Sequence, residues 1–180
     1  MMARGRAVSG VEVLGRAILS IRGALEFLKL KAQRLLAAHG LASIEAEQWY
    51  SLPNVIAALE AIREQVDPHI VRSIGYWVPS NARFPPGVDS FEGALHALDA
   101  AYRMNHRGEG DFGHYQVVEG GENTLLMRSD SPYPCDFDQG LLEALYDRFQ
   151  PPSSVRLHLT HETGDCRIQG ADACVYRIRW

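Results

Sequence analysis

Three cysteines stand in the last quarter of this 180-residue chain, and they carry most of the chemistry the sequence offers. Cys135 sits in Ser-Pro-Tyr-Pro-Cys-Asp-Phe-Asp-Gln-Gly, just ahead of an expected helix, where the helix N-terminus favours a thiolate. Cys166 and Cys174 bracket Arg-Ile-Gln-Gly-Ala-Asp-Ala, which reads as a tight β-hairpin turning about Gly170. A turn symmetric about Gly170 makes the two cysteines cross-strand partners with both sulfurs on one face. Beyond Cys174, strict alternation puts Cys174, Tyr176, Ile178 and Trp180 on the apolar, interior side and Val175, Arg177 and Arg179 on the other. Two inward thiols facing each other are a disulfide, half a metal site, or two small core residues.

Zinc takes four N, S or O ligands in a tetrahedron, and the three cysteines supply up to three of them. His161 and Glu162, just upstream of Cys166, are the candidates for the fourth. His161 shares the apolar parity of Leu157 and Leu159; Glu162 falls at the strand end, where geometry is freer. The spacing is not that of a Cys-x-x-Cys ribbon. An odd cysteine count is a poor disulfide framework. The basic start, Met-Met-Ala-Arg-Gly-Arg, is followed by an apolar stretch that Glu12, Arg16 and Arg22 interrupt, which does not read as an export signal. The expected compartment is the reducing cytoplasm, where paired thiols bind metal or stay reduced.

Other candidates are weaker. His96 lies beside the helical stripe Phe91, Leu95, Leu98, Tyr102 and could ligate a haem or metal, although a lone histidine there is more simply a core residue. His106, His114 and His158 read as surface residues. Asp130, Asp136 and Asp138 could gather a cation, but an aspartate ahead of a helix is more simply its cap. Arg177 and Arg179 read as a solvated strand face. No Gly-x-Ser-x-Gly elbow and no phosphate-binding glycine loop is present. Net charge is −4 with no long basic run, which argues against nucleic acid as a partner. No stretch approaches the ~20 apolar residues of a membrane span.

These residues need elements to position them. A capping box at Ser9 and Glu12 predicts a long helix from Val11 to Ala38 that ends at Gly40. Its stripe of Leu14, Ile18, Ile21, Leu25, Leu28, Ala32 and Leu35 steps by alternating fours and threes, so it suits a core and also a second subunit. A connector over 41–50 is anchored by Trp49 and Tyr50. Helices follow over 53–65 and 68–76, then an irregular Pro-rich loop over 78–88, then a helix from a second capping box at Asp89 and Glu92 to Met104. The period then falls to two. A hairpin over 114–118 and 124–128 is joined by a loop of residues 119–123, a helix runs to Phe149, and strands are expected over 155–160, 166–168 and 173–179. The sum is one α+β domain: N-terminal helices (10–105) packed on a mostly antiparallel sheet of four to five strands (113–180).

At Cys135-Asp-Phe-Asp-Gln-Gly-Leu-Leu-Glu and the closing Cys166-x7-Cys174-x-Tyr, the chain resembles the four-vinyl-reductase-like ligand-binding domains. These are related in fold to haem nitric-oxide-binding domains and to a Golgi vesicle-tethering subunit family. The match runs from about Gly113 to Trp180. Trp49-Tyr50, the helix after Pro53, and Ile74-Gly75 agree more loosely. In the phenol-sensing regulators of the group, three cysteines and a glutamate hold zinc beside an aromatic-ligand pocket. The resemblance puts Cys135, Cys166 and Cys174 on those cysteines and makes Glu162 the best counterpart of the carboxylate, with His161 as its rival. For the haem relatives, His96 in Ala-Leu-His-Ala-Leu falls near the proximal histidine. Their Tyr-x-Ser-x-Arg motif is replaced by Met127-Arg128-Ser129-Asp130-Ser131, where only a serine survives.

The resemblance implies a sensory or carrier domain that binds a small hydrophobic or aromatic molecule between helices and sheet. A zinc clip would tie the tail hairpin to the Cys135 loop. Pocket candidates are Phe91, Leu95, His96, Tyr102, Tyr115 and Tyr176. The alternatives are a haem gas sensor using His96, a tetrapyrrole vinyl reductase or its accessory protein, and a dimeric scaffold built on the first helix. The partners to expect are the small molecule, a second copy of the chain and a signalling protein.

Overall fold

Gly10, with φ of +80°, turns the chain into a strand, not a helix. In the computed structural model, which describes residues 8–21, 30–162, 164 and 166–180, Glu12–Leu14 forms β1. It is the middle strand of a three-stranded antiparallel sheet, between β2 (Trp49–Ser51) and β3 (His106–Arg107). Glu12 therefore does not complete a capping box. It sits opposite Arg107, accepts a 2.7 Å hydrogen bond from its Nε, and Arg107 also covers the Trp49 ring at 4.3 Å. Helical turns begin only at Gly15–Ile18 (α1), and the helix Leu30–Ala38 (α2) stops at Gly40 as expected. Leu25 and Leu28 of the expected heptad stripe lie outside the described residues.

The middle of the chain follows its pattern closely. Helix α3 (Leu52–Gln65) takes Pro53 in its first turn, and α4 (Pro68–Trp77) is capped by Asp67, whose carboxylate accepts from the His69 amide at 2.7 Å. Helix α5 (Phe91–Met104) is capped by Ser90, one residue after the expected Asp89, through the Gly93 amide at 3.2 Å.

The second sheet has strand order β4-β5-β7-β6, antiparallel throughout. Strands β4 (Tyr115–Gly121) and β5 (Thr124–Ser129) extend further than expected, because the turn is the two residues Glu122-Asn123, with Asn123 at φ +53°. Helix α6 spans Cys135–Arg148 and leads to β6 (His158–His161) and β7 (Cys174–Arg179). The expected strand at 166–168 is instead a 3₁₀ turn, Arg167–Gln169, in which the Gln169 and Gly170 amides bond to the carbonyls of Cys166 and Arg167. Gly170 closes that turn at φ +95°. The strand opposite β7 is thus β6, and Cys166 and Cys174 are not cross-strand partners. The α+β class holds, with four strands in the main sheet and a second, smaller sheet inside the helical half.

Helices α4 and α6 are held unusually close by two glycines. A Cβ on Gly75 would lie 2.1 Å from the Phe137 carbonyl oxygen, and one on Gly140 would lie 1.8 Å from that of Arg72. This contact carries the Arg72–Glu143 ion pair and places the first turn of α6, with Cys135, against the end of the main sheet. Among the described residues no helix is long and apolar enough to cross a membrane.

Candidate functional site

Four side chains from four separate elements converge at that end. Cys135, His161, Cys166 and Cys174 each offer a ligand atom, and these atoms all lie within 4.8 Å of one another. Cys135 comes from the first residue of α6, His161 from the end of β6, Cys166 from the residue before the 3₁₀ turn, and Cys174 from the start of β7. The Sγ atoms of Cys135 and Cys166 are 3.9 Å apart. That is far beyond a disulfide bond and close to the ~3.8 Å edge of a tetrahedron with zinc–sulfur bonds of about 2.3 Å. The 3₁₀ turn brings Cys166 and Cys174 together where the expected hairpin does not exist.

His161 is the fourth member of this cluster and Glu162 is not. The imidazole of His161 stacks on Tyr176, and its Nε2 is buried with no hydrogen-bond partner among the described residues. An orphaned buried nitrogen costs of order 1–3 kcal/mol unless something coordinates it. Glu162 turns away and accepts from Arg177 Nε at 2.6 Å. This pair also removes Arg177 from the free strand face.

The sulfurs are electrostatically prepared. Cys174 accepts from the Arg167 amide at 3.4 Å and from Arg167 Nε at 3.2 Å. Its thiol is pulled well below the ordinary range, first by its hydrogen bond with Cys135 and then by the Arg167 guanidinium, against burial. Cys135 is pushed the opposite way by the same hydrogen bond and by burial, so the helix N-terminus alone does not make it a thiolate.

Arg167 continues into a buried polar cluster. Its guanidinium pairs with the fully buried carboxylate of Asp138 and donates to the Ser131 carbonyl. Asp138 also accepts from Tyr115 Oη at 2.6 Å, Ser129 Oγ at 3.0 Å and Tyr176 Oη at 3.1 Å. Burial raises the Asp138 carboxyl against the pull of Arg167 and of the Tyr115 and Ser129 hydroxyls. Asp138 is therefore no helix cap. No sequence signal separates it from Asp136, which lies on the outer face and pairs with Arg63 at 2.6 Å.

Tyr115 also lines a small apolar cavity of about 50 Å³, whose walls include Leu98, Ala101, Tyr102, His106, Tyr133 and Phe137. Of the expected pocket residues, Tyr102 and Tyr115 are here. Phe91 and Leu95 are core: Phe91 packs edge-on against Tyr146 and Trp180. Tyr176 lies instead beside the Cys/His cluster, stacked on His161. His96 is exposed, on the solvent face of α5. His106, expected at the surface, is buried: its Nδ1–H donates to the Tyr102 carbonyl at 2.7 Å and its Nε2 accepts from Tyr133 Oη at 2.8 Å. Burial lowers it to about 4, so it is neutral. It follows α5 directly and lies among the Tyr102, Phe112 and Tyr133 rings, on the short strand that pairs with β1.

No family model and no curated protein matches the sequence. Solved structures do match the fold. An H-NOX protein from Shewanella oneidensis in the Fe(II)NO ligation state aligns over 92% of this chain and 98% of its own, at 16% identity and a TM-score of 0.64. An unliganded Fe(II) H-NOX mutant from K. algicida aligns over 92% and 95%, at 12% identity and a TM-score of 0.62. A point variant of Tt H-NOX aligns over 92% and 94%, at 16% identity and a TM-score of 0.59. The chain has the H-NOX fold, the haem-nitric-oxide-binding architecture expected from its tail.

Proposed function

We propose that this chain is a small-molecule-binding domain of sensory or carrier type, fastened at one end by a zinc ion on Cys135, His161, Cys166 and Cys174. The observation that carries the metal is the convergence of four ligand atoms within 4.8 Å, one of them from a histidine whose Nε2 has no other partner among the described residues. Bound there, the metal would supply structural cross-linking between α6, the 3₁₀ turn and the main sheet. Arg167 offsets the excess thiolate charge of a three-cysteine set.

The cavity supports a small apolar guest. Its polar atoms already have partners: Tyr102 Oη donates to the Phe112 carbonyl, Tyr115 to Asp138, and Asn105 to the Ala101 and Arg83 carbonyls. A guest without hydrogen bonds therefore leaves nothing unsatisfied. At about 50 Å³ the space holds a molecule of a few heavy atoms, and a benzene-sized one, needing about 150 Å³, requires side chains to move. Tyr115 touches the cavity and Asp138; Asp138 holds Arg167; Arg167 holds Cys174. Occupancy of the cavity and the geometry of the clip are thereby connected.

Metal analysis of purified protein tests the clip. About one zinc per chain is expected, lost in C166S and H161A and kept in E162Q; unchanged content in the first two rejects the site. Native mass spectrometry of co-purifying small molecules tests the cavity.

Haem is the second reading, because the fold relatives include structures described by their Fe(II) and haem states. The residues present do not fit it. His96 faces solvent, His106 has both ring nitrogens engaged, and the cavity is far below the ~300 Å³ at which ligand pockets begin. An ultraviolet–visible spectrum without a haem band is the expected result.

A further inference from the structure

We propose that guests reach the apolar cavity through the Pro-rich connection between α4 and α5, with Phe84 as the door and Asn105 as the latch that holds it shut. This rests on the cavity reading above and adds to it the entry route and the residue that sets the exchange rate.

Burial locates the mouth. Among the described residues that line the cavity, all are buried except Val78, Ala82 and Phe84, which also reach solvent. All three belong to the connection between α4 and α5. The same stretch is poorly fixed by backbone pairing. The Asn81 and Ala82 amides bond to the Val78 carbonyl, and the next backbone–backbone bond among the described residues runs from Ala94 to the Ser90 carbonyl. Pro85 and Pro86 have no amide to donate. Gly87 stands at φ +81°, with nothing within 4 Å of where a Cβ would lie, so it can serve as a pivot. Segments with few backbone bonds and partial exposure open at a cost well below global unfolding.

Side chains hold the segment instead. The buried carboxamide of Asn105 takes both backbone groups of Arg83: Oδ1 accepts from the amide at 2.9 Å and Nδ2 donates to the carbonyl at 2.8 Å. Nδ2 also donates to the Ala101 carbonyl at 2.7 Å, which ties the carboxamide to α5. Arg148, exposed at the end of α6, donates to the Pro79 carbonyl at 2.7 Å. The Phe84 ring lies 6.4 Å from that of Phe149. The ion pair of Arg83 with Glu47, at 3.1 Å, is exposed and adds little. The Asn105 hydrogen bonds therefore decide how often Phe84 swings out. A latch of this kind governs rate. Opening serves entry and escape alike, so a change confined to it moves both rates together and leaves affinity in place.

The test uses the full chain with xenon as the probe guest, a small apolar atom of the kind that enters dry cavities. Saturation-transfer NMR of xenon reads the exchange rate, and amide hydrogen exchange without xenon reads the latch. In N105A, bound xenon should exchange about tenfold faster or more, and the Arg83 amide should lose its protection. R148M, which lies outside the cavity, should speed exchange about threefold or more with affinity within about twofold of the native chain. L141A alters the deep wall, so it should change xenon affinity and leave the Arg83 amide as protected as before. If N105A does not fold, R148M decides. Xenon that binds but exchanges at the native rate in these latch and anchor variants overturns the route alone. No saturable xenon binding by the native chain overturns the cavity reading and the route with it.

Discussion

His161 lies almost flat on Tyr176, with ring centroids 4.6 Å apart and planes 18° apart, and this stack aims the imidazole at the three sulfurs. The tyrosine would thus act on a metal bound there through its neighbour. Y176L is expected to weaken zinc about 10–100-fold, as loss of an orienting group does. Y176F keeps the ring and should lose less, giving up the hydroxyl donor to Asp138 and the Cys135 carbonyl. Chelator competition measures both; equal affinity in Y176L and the native chain would show that the stack positions nothing.

Asp138 and Arg167 form an ion pair in which the carboxylate is fully buried. Removing one charge strands the other, at a cost of about 3–5 kcal/mol. D138N keeps an acceptor for Tyr115 but leaves the guanidinium unpaired, so urea unfolding should show a loss in that range. A loss below about 1 kcal/mol would mean that water reaches the pair.

His106 sets an acid limit on stability. Its folded value is lowered to about 4 from the ordinary 6.5, so between those limits the unfolded chain binds the extra proton. The stabilisation is complete above pH ~6.5 and is lost as pH falls toward about 4, to a total of about 3 kcal/mol. H106Q should flatten that part of the profile, whatever it does to stability at neutral pH. An unchanged slope between pH ~4 and ~6.5 would place the titration on another group.

Gly140 permits the α4–α6 contact. Alanine there gains about 1 kcal/mol of helix propensity, but its methyl would overlap the Arg72 carbonyl at 1.8 Å. Net destabilisation of about 1–3 kcal/mol is expected in G140A, seen as a lower melting temperature. A neutral or stabilising change would mean that the helices separate freely.

Much of the architecture was legible in local pattern. Helices α3 to α6 follow 3.6-residue stripes between caps and prolines, and β7 shows its inward face through Cys174, Tyr176 and Ile178, all fully buried. Local pattern misled where two periods overlap: Val11-Glu-Val-Leu alternates as a strand while Leu14, Ile18 and Ile21 step as a helix. Only pairing with β2 and β3 decides between them.

The site divides the same way. Residue types alone made three thiols and a neighbouring imidazole available as ligands. The sequence by itself also determined the interior parity of His161. The tertiary structure decided which atoms meet. A 3₁₀ turn, not a hairpin, gathers Cys166 with Cys174, an ion pair with Arg177 withdraws Glu162, and a turn of chain after α5 buries His106 while leaving His96 in solvent. The physical reason is that periodicity reports which side of an element is apolar. The buried partner of a charged or titratable group is chosen by contacts between residues far apart in the chain, such as Asp138 with Arg167.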